Sequence, residues 1–522
     1  MFAGCGGLGE GFAGGEFKEN LSFDVALSIE KDNAACDTLV LRKFFRQFVA
    51  PPIEYYSYLR GEIPIDVLKG KFPEQWASAE AKVMRAELDE NSETCDLLSR
   101  RLESAIGGNK NWALVGGPPC QAYSSSGRSR NKGTKDYIAE NDHRHFLYRH
   151  FLNVIANHAP PVFLMENVTG LLTAKVGGEN MFGRICSDLE NPGRAVGARS
   201  SDSNYKLAYQ IYPLTQPASF DLFHRLENKP SSYVVDASEY GVAQSRNRVF
   251  LLGVRTDLKQ QPSLLEKAEK RYTVHDLIGD LPELRSGLSR DDSVSAWLEV
   301  IKRIPDSEWF LELESNQDIE QLPYIRSLAE SVKSPKAGRG ARFVKHRRVP
   351  KALRDWYHDP RLGGACNHES RSHMASDLHR YFFMAAETER RERLHRKGAS
   401  EFANVDLGDF PRGLLPDHKN VTRKGDSKIV FKDRFKVQRN GAPSSTVVSH
   451  LRNDGHYFIH PDPTQCRSLT VREAARLQSF PDNYFFEGSR GDGYMQVGNA
   501  VPPFLAKQIA GVISDLFERN RL

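Results

Sequence analysis

The stretch MFAGCGGLGEGF (residues 1–12) carries five glycines between positions 4 and 11. So much backbone freedom serves a tight turn that takes a chain out of a strand and into a helix. Gly4, Gly6 and Gly9 fit the spacing G-x-G-x-x-G, which lets a nucleotide approach the backbone closely. Glu30 closes the next apolar run, FDVALSIE (23–30), where a carboxylate can accept hydrogen bonds from ribose hydroxyls. On its own the pattern fits a nucleotide site, with NAD the first candidate, or nothing more than a turn.

Further along, the runs WALVGG (112–117), PVFLMEN (161–167), YVVDAS (233–238) and RVFLLGV (248–254) are apolar without alternation. Such runs are typical of parallel strands buried on both faces. Helix-like stretches lie between them, such as HFLYRHFLNVIANHAP (145–160). Strands alternating with helices predict an open α/β sheet. Beyond about residue 285 the pattern becomes mixed and charged, and regular structure resumes near 456. TVREAARLQSF holds Thr470 and Glu473 at the capping-box spacing. The last segment opens on proline, and Leu505, Ile509, Val512, Ile513 and Leu516 form one apolar stripe. The expected organisation is a catalytic body over 1–285, an inserted domain over 286–455, and a returning segment over 456–522.

A length of 522 residues suits two or three domains. Nothing resembles a secretory signal, and no apolar run reaches the ~18–20 residues of a membrane span. Seven scattered cysteines fit free thiols in a reducing cytoplasm better than a disulfide framework. The net charge of +5 is unevenly divided: residues 333–440 hold 26 Lys+Arg against 13 Asp+Glu, and the rest holds 46 against 54. A positive field confined to one segment suits a polyanion such as nucleic acid, or else a solvated basic surface.

Four places carry candidate chemistry. In GGPPCQAYSSSGRSR (116–130), Cys120 follows two stiff prolines and precedes serines and arginines. A thiol in electropositive surroundings acts as a nucleophile; the alternative is a small buried hydrophobe. In MENV (165–168), Glu166 ends an apolar strand, where burial would keep it proton-sharing near neutral pH; the alternative is a surface charge. In QSRNRVFLLG (244–253), Arg246 and Arg248 alternate on one side of a strand with Gln244 in phase. They could hold a carbonyl oxygen or phosphates, or form an edge salt bridge. In ACNHESRSH (365–373), Cys366, His368 and His373 lack a fourth ligand at zinc-like spacing, so no metal is expected.

FAGCGGLGEGF, GGPPCQ, MENV, QSRNR, RSLTVREAARLQSFPD (467–482) and QVGNAVPP (496–503) stand in the order found in cytosine-5 DNA methyltransferases. The chain resembles the restriction-modification type of that family, and the match spans its N- and C-terminal parts. The resemblance implies a Rossmann-like sheet dependent on S-adenosylmethionine, with the basic segment as target-recognition domain. It implies that Phe2, Gly4, Cys5 and Gly7 line the cofactor pocket, that Glu30 binds the ribose, and that Asn499, Ala500 and Val501 close the site. Cys120 would be the nucleophile, Glu166 the cytosine-binding acid, and Arg248 with Arg246 the support for a flipped base. Gln121 and Ser124 belong to a loop suited to close over that base. The implied setting is a bacterial or phage-encoded cytoplasmic monomer acting on double-stranded DNA, with room for a cognate restriction endonuclease. An RNA substrate and a non-catalytic DNA-binding relative are the rivals, and an NAD oxidoreductase would explain the glycine turn alone.

One feature departs from the family. There the glycine turn follows an apolar strand in mid-sheet, whereas here Met1 stands where that strand would end. The expectation is a fragment or a misassigned start, since a central strand of some five buried side chains contributes ~8–15 kcal/mol.

Overall fold

Strand Val162–Val168 shows why the apolar runs do not alternate. Phe163 and Met165 enter one core while Val162 and Leu164 enter another on the opposite face. Strand Asn247–Arg255 divides likewise, with Val249 and Leu251 on one side and Phe250, Leu252 and Val254 on the other. Side chains alternate across a sheet, so a strand covered on both faces must be apolar at every position.

The computed structural model describes residues 1–15, 23–88, 92–119, 147–197, 206–218, 228–315, 322–397, 402, 404–416, 421 and 432–520. The chain divides into two compact units: Met1–Pro51 with Phe72–Arg271 and Ala500–Leu522, and Pro52–Lys71 with Tyr272–Asn499. These divisions differ from boundaries at 286 and 456. Residues 456–499 bond within the second unit, as where Asp482 donates its amide to the Tyr357 carbonyl, and the chain returns to the first at Ala500.

In unit 1 we label strands β1 (Ser28–Glu30), β2 (Val83–Arg85), β3 (Ala113–Gly116), β4 (Val162–Val168), β5 (Tyr209–Tyr212), β6 (Val234–Asp236) and β7 (Asn247–Arg255). β1 and β2 form a parallel pair. The main sheet runs β3-β4-β7-β5, with β6 also on β7. β3 lies parallel to β4, but β7 is antiparallel to β4, β5 and β6. The sheet is therefore mixed rather than all parallel. A short turn through Gly241, at φ 80°, brings the chain back beside β6, so β7 enters reversed. The α/β class holds. The labelled helices of this unit are α1 (Gly7–Ala13), α2 (Asn33–Arg46), α3 (Tyr148–His158), α4 (Met181–Glu190) and α5 (Pro503–Asn520). Helix α3 buries Phe151, Leu152 and Ile155 on one face of the sheet, and α5 buries Leu505, Ile509, Ile513 and Leu516 on the other. Each such side chain contributes about 1.5–3 kcal/mol.

The first residues connect the two sheets. The Met1 amino nitrogen donates to the Val115 carbonyl oxygen at 2.8 Å, and the Ala3 amide donates to that of Ile29 at 3.0 Å.

Unit 2 is more regular than its sequence pattern foretold. It holds an antiparallel ribbon of Gly340–Lys345 with Gly364–Glu369, a 22-residue helix over Ala375–Arg396, and a core around Trp297, Ile301, Phe310, Tyr381 and Phe382. The helix Val471–Leu477 starts on the expected capping box: the Glu473 amide donates to Thr470 Oγ1 at 3.2 Å, and the Thr470 amide to the Glu473 carboxylate at 2.7 Å. Three arginines of this motif are buried. Arg467 pairs with Glu473 at 2.7 Å, Arg476 with Asp482 at 2.8 Å, and Arg472 donates to the Cys366, Pro481 and Tyr484 carbonyls.

Candidate active site

Glycines at positive φ shape the turn that leads into α1, Gly4 at 53° and Gly6 at 92°. The Gly4 amide donates to Glu30 Oε2 at 2.8 Å, while Glu30 Oε1 accepts from the Lys31 and Asp32 amides at 2.9 and 3.0 Å. The carboxylate thus braces the turn from the end of β1. Its remaining lone pairs can still accept from a ligand's hydroxyls. Phe2 is half-buried in a left-handed conformation, at φ 52°. Cys5 is buried outright, and that burial pushes its thiol pKa far up.

Gly7 ties the turn to the returning segment. A Cβ built there would lie 2.2 Å from the Val501 carbonyl oxygen and 3.2 Å from the Ala500 Cβ. No side chain fits without moving backbone. Gly7→Ala is therefore expected to part the turn from residues 500–501 and cost about 1–3 kcal/mol of stability by overpacking. Isothermal titration with S-adenosylmethionine and a thermal melt check this; unchanged values in both would refute it. Asn499 is exposed at the end of helix Arg490–Asn499, in unit 2.

At the carboxyl end of β4, Glu166 accepts from Arg248 on β7, Nε to Oε1, at 2.9 Å. Antiparallel pairing sets this contact: Phe250 stands opposite Glu166 and Arg248 opposite Val168, on the same face two residues on. Both side chains are mostly buried, at 13% and 14% exposure, which strengthens the pair relative to a surface bridge. Gly117, just past β3, comes so close that a Cβ would lie 2.9 Å from Glu166 Oε2. The Asn167 side chain reaches the Pro118 carbonyl at 3.5 Å. The strand ends carrying MENV and GGPP are thereby brought together. Cys120, Gln121 and Ser124 lie outside the described residues.

The two arginines expected to work side by side have different surroundings. Arg246 is buried, and its guanidinium donates to the Ala500 carbonyl at 2.9 Å. Burial lowers its pKa, the Arg248 charge adds to this, and Glu166 opposes it.

Sequence reading missed the support beneath the turn. Glu10 of α1 is buried and accepts from Arg42 of α2 at 2.8 and 2.6 Å, with Arg46 as a further partner. Burial pushes the Glu10 pKa up, but the two guanidiniums outweigh it and hold the carboxyl below its ordinary value. The available signal was one acid among helix glycines, with arginines four residues apart on the next helix.

In unit 2, His368 is buried between Thr470 Oγ1 and the Pro282 carbonyl, each at 2.9 Å. Cys366 is buried on the same strand. Among the described residues no group of three or more His, Cys, Asp or Glu side chains is placed to hold a metal ion, and no helix is long and apolar enough to cross a membrane.

Residues 103–199 and 219–515 match the family model described as C-5 cytosine-specific DNA methylase. The chain is 29% identical over 548 residues to the type II methyltransferase M.Bpa9945I of Bacillus paralicheniformis, covering 99% of this chain and 98% of that protein. It is 27% identical over 450 residues to the type II methyltransferase M.AgeI of Thalassovita gelatinovora, covering 81% and 87%. It is 24% identical over 427 residues to the DNA (cytosine-5-)-methyltransferase M.ApeKI of Aeropyrum pernix, covering 78% and 81%.

Proposed function

Because the chain belongs to the C-5 cytosine-specific DNA methylase family, we propose that it methylates carbon 5 of a flipped-out cytosine in a specific duplex sequence, through a covalent Cys120 adduct. The observation that carries this reading is the Glu166–Arg248 pair at the mouth of the β3 and β4 strand ends, beside Gly117. A buried carboxylate held by one guanidinium can share a proton with a ring nitrogen while the guanidinium faces a carbonyl oxygen.

Carbon 5 of cytosine is a weak nucleophile. Attack of the Cys120 thiolate on carbon 6, with Glu166 hydrogen-bonding ring nitrogen 3, makes carbon 5 an enamine carbon. S-adenosylmethionine would supply a methyl group on a sulfonium, whose transfer to carbon 5 would leave the sulfur as a neutral thioether. Loss of the carbon 5 proton then expels the thiolate and restores the ring. The base must leave the helix for this, at a cost of roughly a few kcal/mol in stacking and pairing. Gln121 and Ser124 lie on the segment assigned to cover it. Phe2, Gly4, Cys5, Gly7 and Glu30 form the cofactor turn, with Ala500 and Val501 against Gly7. The Glu30 acceptor and the open glycine backbone suit a ribose and an amino-acid moiety. Arg246 is a positioning residue, acting through Ala500. The basic segment within 286–455 supplies target recognition.

The names of the type II relatives support a restriction-modification setting. The proposal for that setting is a cytoplasmic monomer acting on double-stranded DNA, with a cognate endonuclease in the same system. The test is methyl transfer from labelled S-adenosylmethionine to duplex DNA, with bisulfite sequencing to locate the product. Glu166→Gln is expected to lower kcat by about 10²–10⁴-fold with little change in DNA affinity. Transfer to RNA but not to duplex DNA, or a fully active Glu166→Gln variant, would overturn the reading.

A further inference from the structure

Residues 333–354 hold nine Lys+Arg and no Asp or Glu, so most of the +13 balance of 333–440 lies in this one short stretch. The other arginine-rich element is different in kind. On helix Ala375–Arg396, Arg380 pairs with Asp377, Arg390 and Arg391 with Glu387, Arg391 also with Asp409, and Arg393 with Glu389. Those cations are neutralised by their own surroundings and project little net field.

Two of the nine are used internally. Arg339 meets Asp292 at 3.4 Å. Arg342 donates to the Tyr58 carbonyl at 3.1 Å and lies over the rings of Tyr58 and Phe485, at 4.7 and 4.3 Å from their centroids. These interactions clamp the ribbon strand Gly340–Lys345. Its partner strand is pinned through buried Cys366 and His368. The other seven (Lys333, Lys336, Lys345, Arg347, Arg348, Lys351 and Arg354) are all exposed, and none has an ion pair among the described residues. Of these seven uncompensated cations Lys345 lies on the clamped strand and the others on the segments that flank it, and together they form a positive surface complementary to a regular row of negative charges.

We propose that the ribbon and its continuation, residues 333–354, are the DNA-backbone contact of unit 2, with Lys345, Arg347, Arg348, Lys351 and Arg354 neutralising phosphates and the helix Ala375–Arg396 taking no part. This rests on the DNA methyltransferase reading above and commits the stretch to phosphates rather than base edges. Phosphate contacts fix register and carry no sequence choice, so removing them weakens all duplexes alike.

The experiment titrates the full-length protein against duplex DNA by fluorescence anisotropy across a range of salt. It compares wild type with Arg347→Gln/Arg348→Gln/Lys351→Gln/Arg354→Gln and with Arg393→Gln/Arg396→Gln. Each phosphate that is no longer neutralised flattens the log–log salt slope by about 0.9, so the fourfold variant is expected to flatten it by roughly 2–4 and to bind about 100-fold more weakly near 0.1 M salt. The helix variant should keep the wild-type slope. All substitutions lie on the surface, and unchanged melting curves will show that the variants fold. A fourfold variant with wild-type slope, or a helix variant that is weakened as much, would overturn the inference while wild-type methylation still upholds the functional reading. A wild type that neither binds nor methylates duplex DNA would overturn both.

Discussion

Cys120→Ser is expected to cut methyl transfer by about 10⁴-fold or more while leaving duplex binding within roughly tenfold, because on the proposed mechanism the lost step is covalent. A hydroxyl is far less acidic than a thiol and supplies almost no anion to attack carbon 6. Five of the six described cysteines offer no substitute: Cys5, Cys36, Cys366 and Cys466 are buried. Burial raises the thiols of Cys36 to about 11 and of Cys186 and Cys366 to about 12, away from the thiolate. The wild type should also become covalently trapped on duplex DNA carrying 5-fluorocytosine, since fluorine cannot leave as the carbon 5 proton does. Denaturing gel electrophoresis reads the trap. Normal turnover by the serine variant, or no trapping of the wild type, would end the covalent mechanism.

Glu10→Ala is the largest expected loss of stability, about 3–5 kcal/mol, because it strands Arg42 and Arg46 around a carboxylate site that no longer exists. That is a large part of the ~5–15 kcal/mol that holds a typical domain together. The helix affected carries Gly7, so cofactor affinity should fall with it. Glu10→Gln keeps part of the hydrogen bonding and should lose less.

The same pair makes a pH prediction. The Glu10 carboxyl is held below its ordinary value, so the folded state binds its proton less readily than the unfolded chain does. Its contribution is present above the ordinary carboxyl value of about 4.5 and is lost as pH falls below that toward the folded value. Urea unfolding between roughly pH 7 and pH 3 should show the wild type losing more stability on acidification than Glu10→Gln. Equal acid dependence, or an alanine variant melting within about 1 °C of wild type, would show that the pair contributes nothing net.

The segments legible in the sequence are those whose chemistry is local. The glycine turn could be read because left-handed backbone and close approach demand glycine wherever they occur, as at Gly4 and Gly7. The helix start at Thr470 could be read because a capping box is complete within four residues. Strands β3, β4 and β7 stood out because burial on both faces makes their central positions apolar without alternation. β2 and β5 escaped notice: VMR and YQIY are short, and their neighbours decide their state.

Long-range partners were beyond any local pattern. The reversed entry of β7 set the register that joins Arg248 to Glu166, while Arg246, two residues earlier, was committed to Ala500. Nothing in QSRNR distinguishes those two fates. Equally, nothing in RSLTVREAARLQSFPD marks its arginines as buried, yet Arg467, Arg472 and Arg476 are, because carboxylates and carbonyls, many of them distant in sequence, receive them. The basic balance of 333–440 was visible as a sum. Which of its charges remain uncompensated was decided partly within the helix Ala375–Arg396, whose arginines have acids three or four residues away, and partly by folding, which brought Asp409 to Arg391 and Asp292 to Arg339. A residue's type and spacing determine what chemistry it can perform; the partner that tertiary structure places within a few ångströms determines which of those chemistries is left to it.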